Sequence, residues 1–128
     1  MTATERAVEL ATEAALAAAD KLATDVLAID VSDQLVITDV FLLAAAPNDR
    51  QVRAIVEAVE ERLVKSGAKP VRREGEREGR WVLLDFGDLV VHVQHAEERE
   101  YYALERLWRD CPLVPLPDEV HAAAAQRE

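Results

Sequence analysis

One small α/β domain is what the sequence predicts, and three observations predict it. Segments with apolar residues at helical spacing alternate with short unbroken apolar runs, the two patterns of an α/β chain. The 128 residues suit one domain and are too few for two comfortable cores. Half of them are hydrophobic and 31% are charged, which is a globular and not a disordered composition. A chain of this length buries roughly two-thirds of its unfolded surface, so neither a disulfide nor a metal is needed to hold it.

The elements follow in order. Thr2 and Glu5 have capping-box spacing ahead of an alanine-rich run from Ala7 to Leu22. Within it Val8, Ala11, Ala15, Ala18 and Leu22 recur at helical spacing, giving a first helix with a thin, small-residue core face. Val26 to Ile29 is a short apolar run ended by Asp30 and Ser32, and it reads as a buried strand. Ile37 to Ala45 reads as a second strand, interrupted only by Thr38 and Asp39. After Pro47-Asn48-Asp49, residues Val52, Ile55, Val56, Val59 and Leu63 form an amphipathic stripe closed by Ser66-Gly67. Pro70 to Arg73 is a weak strand, at or near an edge because of its proline.

The most informative segment is a hairpin. Arg80 to Phe86 and Leu89 to His95 are separated by Gly87-Asp88, which suits a two-residue turn with glycine first. If Phe86 pairs with Leu89, Asp85 faces Val90, Leu83 faces His92 and Trp81 faces Gln94. Alternation then sends Val82, Leu84, Phe86, Leu89, Val91 and Val93 to one wholly apolar face. The opposite face gathers Trp81, Leu83, Asp85, Val90, His92 and Gln94, a mixed aromatic and polar set. It is either covered by a helix, with His92 hydrogen-bonded inside, or a partly open protein-binding surface. A last helix runs from about Glu97 to Asp110, with Tyr101, Leu104, Leu107 and Trp108 as its apolar stripe. Tyr102 lies about 100° from Tyr101 and is the more exposed of the two. Beyond residue 110, Pro112, Pro115, Pro117 and four alanines read as a loosely attached tail, so the domain is set at 1–110 and the tail at 111–128.

Charge narrows the function. The chain carries −10 overall, and only the loop at 69–80 has a positive balance, of +2. Nucleic-acid binding needs a basic stripe, so direct contact with RNA is not expected, and an acidic surface favours basic protein partners. Cys111 is alone, which excludes an intrachain disulfide and suits a reducing cytoplasm. The N-terminus lacks the pattern of a signal peptide, and no run approaches the ~18 apolar residues of a membrane span.

Catalytic chemistry finds little support. His92 and His95 are three apart on a strand and point to opposite faces, so they cannot chelate one ion, and neither a metal nor another cofactor is expected. Asp30, Asp33 and Asp88 read as turn and strand-end residues before they read as magnesium ligands. Asp39 lies within an apolar run and needs a donor if buried, from Arg50 or the backbone. The four glycines, at 67, 75, 79 and 87, all sit at turns, and no Gly-x-Ser-x-Gly elbow exists. Cys111 adjoins a proline with no histidine near it in sequence.

These segments resemble the ribosomal silencing factor family, also called Iojap-like. The match runs through Asp30-Val31-Ser32, Thr38 to Ala44, Arg50 to Ile55, Glu74-Gly75, Trp81 to His92 and Glu98 to Trp108, and covers about residues 7–110. The resemblance implies a mixed sheet of about five strands flanked by helices, with nucleotidyltransferase-like topology but without the catalytic residues. It further implies a non-enzyme that binds ribosomal protein fourteen of the large ribosomal subunit and blocks small-subunit joining when nutrients are short. A homodimer off the ribosome is also implied. Carried over by motif, the partner-binding candidates are Trp81, Asp85, His92, Tyr101, Tyr102 and Glu105. Two positions depart from the family's pattern: Val40 and Gln94 stand where aromatics are usual. The alternatives are a metal-dependent nucleotidyltransferase-like enzyme using Asp30, Asp33 or Asp39, and a dimeric scaffold for another basic protein.

Overall fold

The computed structural model describes residues 2–125, excepting the side chains at 100–102, 104, 105 and 122–125. Helix α1 spans Glu5–Asp20 and is capped by Thr4, whose hydroxyl accepts the Ala7 amide at 3.1 Å. The expected cap at Thr2 is thus displaced by two residues. Strand β1 (Asp25–Asp30) is followed by β2 (Val40–Ala46), then α2 (Asp49–Lys65), capped by the Asn48 side chain at 2.9 Å from the Gln51 amide. The short β3 (Arg72–Glu74) leads to the hairpin of β4 (Trp81–Asp85) and β5 (Leu89–His95). Helices α3 (Ala96–Tyr102), α4 (Leu104–Leu107) and α5 (Asp118–Ala125) complete the described chain.

The sheet is five-stranded and mixed, in the order β1-β2-β5-β4-β3. Only β2 and β5 run parallel, and the other three pairings are antiparallel. A parallel pair needs a crossover, and α2 lies within it, packed on the face that α1 also covers. That face is the core: Val26 and Ala28, Val40, Leu42 and Ala44, Val82 and Leu84, Leu89, Val91 and Val93 meet Leu10, Val52, Ile55, Val59 and Leu63. The alanines of α1 are buried against this layer, and their small side chains let the helix lie close.

Three expectations change. Residues Ile37 to Asp39 are not strand, because Val31 and Asp39 close a loop through a 2.9 Å backbone hydrogen bond before β2 begins. The single helix expected over Glu97 to Asp110 is broken at Ala103, which adopts a left-handed φ of 41°. Leu107 consequently leaves the apolar stripe and is exposed, while Trp108 still packs inward. Residues 112–120 are not loose. Asp30 donates its amide to the Pro112 carbonyl at 2.8 Å, Val114 donates to Ala28 at 2.9 Å, and Val114 and Val120 are buried. Residues 112–114 thereby line the outer edge of β1, and α5 packs on α1 and β1.

Gly75 and Gly87 make the charged loop and the hairpin possible, with φ of 83° and 89°. A Cβ at Gly75 would lie 1.9 Å from the Trp81 carbonyl oxygen, whereas one at Gly87 meets nothing within 4 Å. Gly87→Ala is therefore expected to cost about 1 kcal/mol of left-handed strain, and Gly75→Ala at least about 2 kcal/mol more. Urea unfolding of both variants checks this, and equal losses would refute the steric account.

Candidate functional site

The face of the sheet opposite α1 and α2 is built in three rows by the register. Asp25, Ala45, Gln94 and Trp81 form one row, Leu27, Leu43, His92 and Leu83 the next, and Ile29, Phe41, Val90 and Asp85 the third. The hairpin register is the one expected from Gly87-Asp88, with Trp81 opposite Gln94, Leu83 opposite His92 and Asp85 opposite Val90. Leu35, Trp108 and Cys111 cover the β1–β2 side of this face, packed on Ile29, Val31 and Leu43. The β4 side is more open, leaving Trp81, Leu83 and Asp85 half-buried.

Trp81 donates its indole N–H to Nδ1 of His92 at 3.1 Å. This bond places the imidazole proton on Nε2 and pins the indole against the sheet. Phe41 meets the His92 ring edge-on at 5.2 Å and the Trp108 ring edge-on at 5.5 Å, so four aromatic side chains run in series across the face. His92, a partner-binding candidate by the family motif and open between a covered and an exposed face by its own pattern, is 7% exposed and lies beneath Trp81. Its burial lowers the imidazole pKa to about 4. Gln94 is fully buried beside Trp81, and its amide finds no hydrogen-bond partner among the described residues.

Asp85 accepts the Gly87 amide at 2.8 Å and lies 3.8 Å from the Arg72 guanidinium, so it braces the hairpin turn and the β3 edge. Tyr101, Tyr102 and Glu105 belong to α3 and α4, but their side chains lie outside the described residues. Sequence reasoning missed Phe41 as a member of the cluster. Its alternation with Leu42 along β2, in register with Val90, was the signal available.

The acidic residues weighed as metal ligands have structural duties. Asp30 accepts the Ala3 amide at 2.9 Å and the Ser32 hydroxyl at 2.6 Å. Burial pulls its pKa up, but the Ser32 hydroxyl and the Ala3 and Ser32 amides outweigh that and hold it below the usual value. Asp39 accepts the Thr4 amide at 2.9 Å, so its donor is backbone and not Arg50. No three His, Cys, Asp or Glu side chains converge as metal ligands among the described residues. Burial, and then the carboxylates of Asp110, Asp30 and Asp33, push the Cys111 thiol up and disfavour a thiolate. In the 69–80 loop Arg72, Arg73 and Arg80 are engaged: Arg72 with Asp85, Arg73 with Glu60, and Arg80 with Glu98 at 3.0 Å and Glu97 at 3.3 Å. No helix among the described residues is long and apolar enough to cross a membrane.

A model of the family described as "Ribosomal silencing factor during starvation" matches residues 4–128. The chain belongs to the ribosomal silencing factor family. It is 45% identical over 103 residues to the ribosomal silencing factor RsfS of Bacillus subtilis, covering 80% of this chain and 87% of that one. A crystal structure of a Chromobacterium violaceum protein superposes with a TM-score of 0.75 at 35% identity, over 78% of this chain and 83% of the other. The chain is also 33% identical over 89 residues to the mouse protein named "Mitochondrial assembly of ribosomal large subunit protein 1", covering 67% of this chain and 39% of that one. This ribosomal silencing factor thus shares its α/β fold with the Chromobacterium violaceum structure.

A histidine buried neutral links stability to pH. Above pH 6.5 neither state protonates His92 and the stability is whole. Between about 6.5 and about 4 the unfolded chain takes up a proton that the folded one refuses, so stability falls with pH through that window. The loss from this group is on the order of 3 kcal/mol by pH 4. Urea unfolding at pH 7, 5.5 and 4 is expected to show a shallower decline in His92→Gln than in the parent.

Proposed function

We propose that this chain acts without catalysis, by docking on the large ribosomal subunit through ribosomal protein fourteen and obstructing small-subunit joining. Translation falls as a result when nutrients are short. The observation that carries this reading is the half-buried Trp81, hydrogen-bonded to His92 on the open side of the sheet. A tryptophan immobilised before contact loses little freedom on binding and presents a large apolar area with a polar rim. The acidic body favours a basic protein partner and disfavours a phosphate backbone. The family's name and that of its mouse relative support a ribosomal, large-subunit partner. In this reading the protein works in the cytoplasm and is a homodimer when free.

Asp85 takes part through the hairpin it braces, and His92 through the indole it orients. Tyr101, Tyr102 and Glu105 are the remaining partner-binding candidates, as the family motif implies. Trp81→Ala combined with Tyr102→Ala is expected to weaken large-subunit binding by on the order of 2–4 kcal/mol, as hot-spot residues do. Cosedimentation with purified large subunits measures it, alongside circular dichroism to verify folding. Undiminished binding by the folded double variant would count against this surface. Subunit joining that proceeds normally at saturating protein would count against the function.

A further inference from the structure

Val36 and Ile37 form the most exposed large apolar pair among the described residues, at 103% and 82% exposure. They stand at the tip of a loop whose base is fixed. Val31 donates to the Asp39 carbonyl at 2.9 Å, Gln34 and Leu35 both donate to the Val31 carbonyl at 2.9 Å, and Asp39 donates to the Asp88 carbonyl at 3.1 Å. Leu35 turns inward and joins the cluster of Phe41 and Trp108, so the tip continues the aromatic face past its third row. Folding gains nothing from holding two large apolar side chains in water. A depression of about 280 Å³ lies beside them, lined by Asp33, Asp39 and Leu35 among others.

Charge identifies the occupant. From Val26 to Val40 the sequence has no lysine or arginine, while Asp30, Asp33 and Asp39 fall in that stretch. Exposed Asp88 adds a carboxylate at the adjoining hairpin turn. An acidic rim around an apolar tip repels phosphate and equally repels the same acidic tip of a second copy. It fits a socket of apolar side chains bordered by lysine or arginine.

We propose that Val36 and Ile37 are an anchor that inserts into an apolar socket on a basic protein, with the Asp33 and Asp39 depression receiving a lysine or arginine beside it. This rests on the docking reading above and makes the tip a second anchor on the same large-subunit protein surface. Trp81 and Phe41 are two strands and two rows apart, about 17 Å by strand and residue spacing. A partner patch of about 800 Å² is some 30 Å across, wide enough to reach from Trp81 past the Phe41 row towards the tip.

The test is Val36→Ser with Ile37→Ser, at positions where the side chains lie in solvent, so the melting temperature should stay at the parent value. Affinity for purified large subunits is expected to fall about tenfold or more. Asp33→Asn with Asp88→Asn is expected to slow association and flatten its salt dependence. A serine variant that binds as the parent does, while the Trp81 variant fails, overturns the anchor and leaves the docking reading standing. A parent protein that does not bind large subunits overturns both. Loss of self-association with unchanged large-subunit affinity assigns the tip to a second copy of this chain. Tip-dependent binding to protein-free ribosomal RNA assigns it to nucleic acid. Either result overturns the proposal.

Discussion

The parallel pairing of β2 with β5 is the constraint from which the rest of the structure follows. These two strands occupy the middle of the sheet and are almost wholly buried on both sides, so their backbone groups must bond to each other. Parallel strands cannot be joined by a tight turn. The connection therefore has to leave the sheet, pass through α2, and return by way of the β3 edge and the hairpin. Helices α1 and α2 pack together over one face as a consequence, and the other face is left to shorter, less regular segments.

That asymmetry produces the functional surface. Where two long helices cover a sheet, every inward position can be apolar, and here it is. On the opposite side the covering comes from single residues such as Leu35, Trp108 and Cys111, which shield the β1–β2 half and leave β4 accessible. A histidine can sit in such a place because Trp81 answers one ring nitrogen. His92 is thus organised by aromatic neighbours, and the indole is oriented before any partner arrives.

The hairpin was fully legible in the sequence, because Gly87-Asp88 fixes the register and alternation then assigns every side chain to a face. Helix α2 was legible for the same kind of reason, a long periodic stripe with Asn48 ahead of it and Ser66-Gly67 behind. What could not be read was set by tertiary contact. Nothing local distinguishes Ile37 from a strand residue, since its exclusion depends on the Val31 to Asp39 bond and on the Asp88 carbonyl. Ala103 carries no left-handed preference, and the break there has no signal in the residue type. His92 looked equally suited to a covered or an open face. The choice was made by residues far away in the chain, Phe41 foremost.

The strip of chain at 112–114 gives β1 its outer hydrogen bonds, through Asp30 to Pro112 and Val114 to Ala28. An uncovered β1 would present a row of open backbone groups to any other extended chain. During synthesis β1 emerges long before the segment that seals it, and closing so distant a contact is slow. Until residues 112–114 have been made and docked, β1 has no partner on its outer side. The charged, three-residue β3 at the opposite border needs no such late shield.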